Sequence, residues 1–109
     1  MANSFKSNVA IDVETTGNVV YTCPAATETT LIGMTLSNKS NTTIVTANVF
    51  LTRSSVDYSI ISNARIPDGS SLVPVGGDQK IVLQAADEVK VTVSTNNAVD
   101  VIASLLEIS

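Results

Sequence analysis

The chain has 109 residues, six basic and ten acidic, with a formal charge of −4 and no histidine. That excludes a Ser-His-Asp triad, a Cys-His pair and a His-ligated metal, while a single cysteine excludes an internal disulfide and a thiolate-cage zinc site. The acidic balance, with a pI near 4.4, repels nucleic acid, so counterion-driven binding to DNA or RNA is not expected.

Fifteen valines, nine isoleucines and thirteen threonines make about a third of the chain β-branched. Such side chains are stiff at χ1 and suit a pleated, half-buried surface. No linker or low-complexity tract divides the sequence, so a single domain over 1–109 is expected. Residues 1–8 carry no apolar secretory core and are expected as a flexible N-terminal arm. The uninterrupted apolar stretches are far shorter than the ~20 residues that span a bilayer, so no membrane partner is expected.

The first predicted strand covers 8–14, and Thr16-Gly17-Asn18 turns the chain into a second over 18–23, closed by Cys23-Pro24. A third, 29–37, is expected to place Ile32, Met34 and Leu36 on one face opposite Gly33, Thr35 and Ser37. The polar run Ser37 to Asn41 leads to 42–53, where Val45, Ala47, Val49 and Leu51 oppose Ile44, Thr46, Asn48, Phe50 and Thr52. Arg53-Ser54-Ser55 precedes 57–64, Pro67-Asp68-Gly69 precedes 70–75, and Gly76-Gly77-Asp78 precedes 79–84. After Ala85-Ala86-Asp87, the strand 87–95 alternates Val89, Val91 and Val93 with Lys90, Thr92 and Ser94. Thr95-Asn96-Asn97 then introduces the last strand, 98–108.

Eight to nine short antiparallel strands without an intervening helical pattern predict an all-β, single antiparallel β-sandwich, jelly-roll in preference to immunoglobulin-like. The Cys and Trp signature of antibody-type domains is absent. The last strand is apolar on both sides: Val99, Val101, Ala103 and Leu105 face one way, Ile102, Leu106 and Ile108 the other. A two-sided apolar strand must be covered twice, by the sandwich core or by another subunit. Phe5, Ile102, Leu106 and Ile108 are therefore the candidate subunit interface.

Few residues invite chemistry. Asp87-Glu88 and Asp68 with Asp78 could pair as acid and base or hold Ca²⁺, but they lack ligand spacing and are expected as solvated turn carboxylates. Cys23 has no basic neighbour in sequence to activate it and is expected as a small buried hydrophobe. Gly76-Gly77-Asp78-Gln79-Lys80 is followed by strand-like Ile81-Val82-Leu83, so a β-turn is expected in place of a phosphate loop. Phe5, Tyr21, Phe50 and Tyr58 are scattered, without a sugar-stacking platform. No enzyme activity, cofactor or metal is expected.

Several segments together carry a family likeness. They are Ser4-Phe5-Lys6, Tyr21 to Gly33 with its Tyr-Thr-Cys-Pro-Ala turn, Ile66-Pro67-Asp68-Gly69, Gly76-Gly77-Asp78-Gln79-Lys80-Ile81-Val82-Leu83, Asp87 to Ser94 and Val99 to Ile108. In this order, over nearly the whole chain, the sequence resembles small virion structural proteins of tailed bacteriophages, especially those of marine and cyanobacterial hosts. The resemblance implies a non-enzymatic particle component that decorates or cements the capsid. Its alternative is a tail, fibre or baseplate module binding a host receptor or carbohydrate. It further implies the major capsid protein or tail proteins as partners, a homotrimer, and a place in the virion after synthesis in the host cytoplasm. It carries no functional residues onto this chain.

Overall fold

A computed structural model describes residues 3–76 and 79–109. Its strands are β1 (Asn3–Ala10), β2 (Asn18–Thr22), β3 (Glu28–Asn38), β4 (Val45–Arg53), β5 (Val56–Ile66), β6 (Ser71–Val75), β7 (Ile81–Leu83), β8 (Glu88–Val93) and β9 (Val99–Ile108). One sheet runs β1-β9-β3-β6, with β7 also on β3, and the other runs β2-β8-β4-β5, every pairing antiparallel. β6 and β7 lie end to end along the same edge of β3, against Met34–Ser37 and Thr29–Leu31, and together fill one strand position. Eight positions alternating between two sheets in this order make a jelly roll.

The period-two pattern decides which side of each strand is dry. Val45, Ala47 and Val49 on β4, Val89, Val91 and Val93 on β8, and Val99, Val101, Ala103 and Leu105 on β9 are all buried. They meet Leu31, Met34, Leu36, Ile66, Val75 and Leu83 in one core that contains Tyr21 as its only fully engaged aromatic. Each fully buried Val or Leu contributes about 1.5–3 kcal/mol by leaving water.

Two expectations change in the folded chain. Residues 3–8, expected as a flexible arm, form most of β1 and pair with β9 from Asn3↔Ile108 to Ala10↔Val101, because that edge of β9 offers a free row of backbone donors and acceptors. The expected strand 8–14 thus starts earlier and ends at Ala10. In β3, Ile32 does not share a face with Met34 and Leu36. A bulge between Leu31 and Gly33 inserts one residue, so Thr29 and Leu31 point inward before it and Met34 and Leu36 after it.

The connections are closed by specific turn chemistry. Ser54 and Ser55 have φ of 53° and 63°, and Arg53 pairs with Val56, so the β4–β5 hairpin is a two-residue turn of the primed kind. At the opposite connection, buried Asn38 donates from Nδ2 to the Thr43 and Ile66 carbonyls, each at 2.9 Å, and accepts from the Ser40 amide at 3.0 Å. One side chain thereby satisfies three backbone groups, two in the β3–β4 connection and one at the end of β5.

Candidate functional site

The polar residues that invite chemistry are engaged in holding the ends of the sandwich. Asp87 is not a solvated turn carboxylate. Its side chain is 3 % exposed, takes Arg53 Nε and Nη2 at 2.9 and 2.6 Å, and accepts the Gln84 amide at 2.8 Å. The Arg53 guanidinium outweighs burial and holds this carboxyl below the usual range. A buried carboxylate needs such a partner, which sequence distance hides: Arg53 comes from the end of β4, 34 residues away. Glu88 lies on β8, and Asp68 is exposed in the Pro67–Ser70 turn. Asp78, and with it most of the Gly76–Asp78 turn, lies outside the described residues.

Cys23 is 1 % exposed, and its thiol donates to the Thr27 carbonyl at 3.3 Å. It is buried as expected, but hydrogen-bonded as well. Nearby, Tyr21 Oη bonds to Thr29 Oγ1 at 2.9 Å and donates to Glu107, which also pairs with Lys6 Nζ at 3.4 Å. Burial, with the hydrogen bond it donates to Glu107, pushes Tyr21 up to about 12, while the Tyr21 hydroxyl lowers Glu107. At the other end Lys39 pairs with Asp12 and with Asp100 at 3.1 Å, tying the β1–β2 and β3–β4 connections to the start of β9. Among the described residues no three carboxylate or thiol groups converge on one point. A shallow depression of about 450 Å³ is lined by Ala26, Thr27, Glu28, Gln84, Ala85, Ile108 and Ser109, with Glu28 as its one ionisable side chain.

The outer face of the first sheet is different in kind. Side chains of directly paired residues share a face. Phe5 is paired with Leu106, Val9 with Ile102, and Asn3 with Ile108, so all four candidate interface residues stand together on the outside of this sheet. Phe5 is 78 % exposed, Val9 70 %, Val82 58 % and Ile102 54 %. The sequence reading omitted Val9 and Val82. The alternation Phe5-Lys6-Ser7-Asn8-Val9 was a usable signal for the first, whereas Val82 joins only because β7 pairs with Thr30 on β3.

β1 faces the opposite way to a core strand. Its inward positions are Ser4, Lys6, Asn8 and Ala10, of which Lys6 pairs with Glu107 and Asn8 Nδ2 donates to the Val20 carbonyl at 3.1 Å. Its two large apolar side chains point out. None of the outward strand positions of this sheet is Lys or Arg, and Glu28 and Asp100 sit in its end rows.

No family model matches the chain, and no curated protein matches its sequence. Solved structures do share its fold. A chain of the Bacillus endospore appendages, described as a novel family of disulfide-linked pili, overlaps with a TM-score of 0.55 at 14 % identity, covering 97 % of this chain and 84 % of that one. A chain of the icosahedral IBDV viral particle overlaps with a TM-score of 0.51 at 6 % identity, covering 96 % of this chain and 30 % of that one. A cyanophage Pam1 capsid chain covers 96 % of this chain at 14 % identity, with a TM-score of 0.38, too low to define a shared fold. At these identities the likeness establishes the β-sandwich architecture, and one fold hosts many functions. The disulfide linkage of the appendage chain has no counterpart in the buried Cys23.

Proposed function

We propose that this chain is a non-enzymatic structural subunit of a virion, decorating or cementing a protein shell and acting through contacts with other protein surfaces. The observation that carries the reading is the apolar outer face around Phe5, Val9, Ile102 and Val82, on a domain whose Asp87, Glu107 and Cys23 are spent on internal bonds. Exposed apolar area of that size marks a protein interaction surface. The fold likeness to an IBDV particle chain and to an appendage chain supports the same reading, since both belong to assemblies.

A cementing subunit works by repetition, each copy adding a modest contact that many copies multiply into avidity. A tip module binding carbohydrate would place exposed aromatics together at loop ends. Here exposed Phe5 and Tyr58 lie on strands of different sheets, which argues against that alternative. The resemblance implies trimers, a stoichiometry that solution mass tests directly.

Immunogold electron microscopy of purified particles from the phage that encodes the chain tests the reading. Label spread over the head is the expected result. Label confined to the tail end would favour the adhesion module, and particles without label would overturn the virion assignment.

A further inference from the structure

The two sheets end in four edges, and three of them are built against adding a further strand. β2 has five residues, its register on β8 shifts between Val19 and Tyr21, and the Val20 carbonyl is taken by Asn8 Nδ2 at 3.1 Å. β5 is bulged twice against β4, holds Asn63 at a φ of 52° and carries Asp57 and Arg65. The outer edge beyond β3 is divided between β6, where Pro74 lacks an N–H, and the three residues of β7. Bulges, proline, charge and short length are the devices that keep a sheet edge from pairing with another chain.

β1 has none of them along its free side. Its eight residues run in unbroken register on β9 from Asn3↔Ile108 to Ala10↔Val101, without bulge or proline. Among the described residues it pairs with β9 alone, so alternate N–H and C=O groups point away from the sheet with no strand to receive them. Its one charge, Lys6, lies on the inner side and is held by Glu107 of β9 at 3.4 Å.

We propose that a second copy of this chain adds its own β1 here, antiparallel, so that the first sheets of two subunits join into one. Backbone bonds would accept any extended chain, and the side chains select the partner. Around Ser7 the order Phe5-Lys6-Ser7-Asn8-Val9 has the same character in both directions: large apolar, polar, serine, polar, large apolar. An antiparallel copy centred on Ser7 therefore sets each Phe5 against the other copy's Val9 on the outer face, and each Lys6 against Asn8 on the inner face. Ser7 meets its equivalent on the two-fold axis, which makes the contact self-complementary and closes it at two copies, in place of the trimer implied by the resemblance. With both outer faces on the same side, the other register of equal length is centred on Lys6, and it would set two ammonium groups opposite each other. The Ser7 register also continues a row from one copy into the next. Val82, Thr30, Leu106 and Phe5 of one run on into Val9, Ile102 and Thr35 of the other. Pairing at the edge thus widens the apolar outer face without covering it, and leaves that face to the other protein surfaces of the structural-subunit reading.

Sedimentation equilibrium of the full chain up to millimolar concentration should give a mass that rises towards twice 11.4 kDa. Ser7 is exposed. Ser7→Lys and Ser7→Glu should each weaken pairing by about tenfold in low salt, by setting like charges together on the axis, and an equimolar mixture should restore it. Mild oxidation reads the register. Ser7→Cys should form disulfide dimers about tenfold faster than Ser4→Cys, whose two copies lie about 20 Å apart along the strands, beyond a disulfide's span. The native Cys23 is 1 % exposed and does not compete. Equal rates for the two thiols, or a mixture that pairs no better than Ser7→Lys alone, would overturn the proposal. So would a monomer at all concentrations or a mass three times 11.4 kDa. A monomeric chain still labelled on particles would refute the pairing alone, and a dimer absent from particles would refute the virion reading alone.

Discussion

The two outer faces of the sandwich rest on the same pleat and carry opposite chemistry. On the first sheet one row across the strands is Phe5, Leu106, Thr30 and Val82. On the second the equivalent row is Val19, Lys90, Phe50 and Ser59, followed by Thr22, Glu88, Thr52 and Asp57. The second face bonds to itself: Asn48 Nδ2 donates to Thr92 Oγ1 at 3.1 Å, Thr52 Oγ1 to Asp57 at 2.7 Å, and Lys90 pairs with Asp57 at 3.8 Å. Its apolar residues Val19 and Phe50 flank Lys90 on either side, and the lysine stem can lie against them while the charge reaches water. A polar face satisfied in this way is finished as a surface. No outward strand position of the apolar face carries a lysine or arginine that could do the same, and that contrast identifies the side on which to look for a partner.

The largest expected effect separates the inside of β9 from its outside. Leu105→Ala, at a fully buried position, should cost about 2–5 kcal/mol by urea unfolding. Leu106→Ala, one residue further on, should cost less than about 1 kcal/mol and instead weaken contacts of the outer face with other protein surfaces. Equal losses would erase the distinction between the core face and the partner face.

Next comes the buried end of the second sheet. Asp87→Asn removes the charge that Arg53 and the Gln84 amide hold, and should cost on the order of 1–3 kcal/mol at neutral pH. Asp57→Asn, on the solvated polar face, should stay within about 0.5 kcal/mol of wild type. Asp87 and Glu107 are both held below the ordinary carboxylate range, Asp87 by Arg53 and Glu107 by Tyr21. The unfolded chain therefore takes up their protons first as pH falls. The stability they provide is complete above about pH 4.5 and is lost as pH drops through their folded values. An acid titration of the melting temperature should show that loss, with a shallower limb in Asp87→Asn.

Tyr21 works at the alkaline end with the opposite sign. Its folded pKa of about 12 exceeds the ordinary 10.0, so between these values the unfolded chain has lost the proton and the folded chain retains it. Stability should fall with pH across that window, and Tyr21→Phe should remove that part of the slope in alkaline melts.

The smallest expected change is a gain. Serine tolerates the positive φ of a primed turn poorly, whereas Asn-Gly adopts it readily. Replacing Ser54-Ser55 with Asn-Gly should stabilise the chain by about 1 kcal/mol or less without altering either outer face. A change in particle association from this substitution would contradict the assignment of the contact face to the first sheet, because the hairpin belongs to the second.

Much of this was legible locally. Alternation placed Val45, Ala47 and Val49 on β4, Val89, Val91 and Val93 on β8, and Val99, Val101, Ala103 and Leu105 on β9 inward correctly, because a strand's side-chain period is two whatever it pairs with. The two-sided character of β9 already singled out Ile102, Leu106 and Ile108. The bulge at Ile32 was not legible, since an inserted residue changes the phase without changing the composition around it. Nor was the burial of Asp87, which depends on a guanidinium brought across from another strand.

The sequence by itself determined the class of object: β-branched composition and even turn spacing fix an all-β fold, and missing histidine excludes histidine-dependent catalysis. Tertiary structure decided which strands became neighbours. Hydrogen-bonded register across β1, β9, β3 and β7 is a long-range property, and it alone turned Phe5, Leu106, Thr30 and Val82, scattered through the chain, into one row.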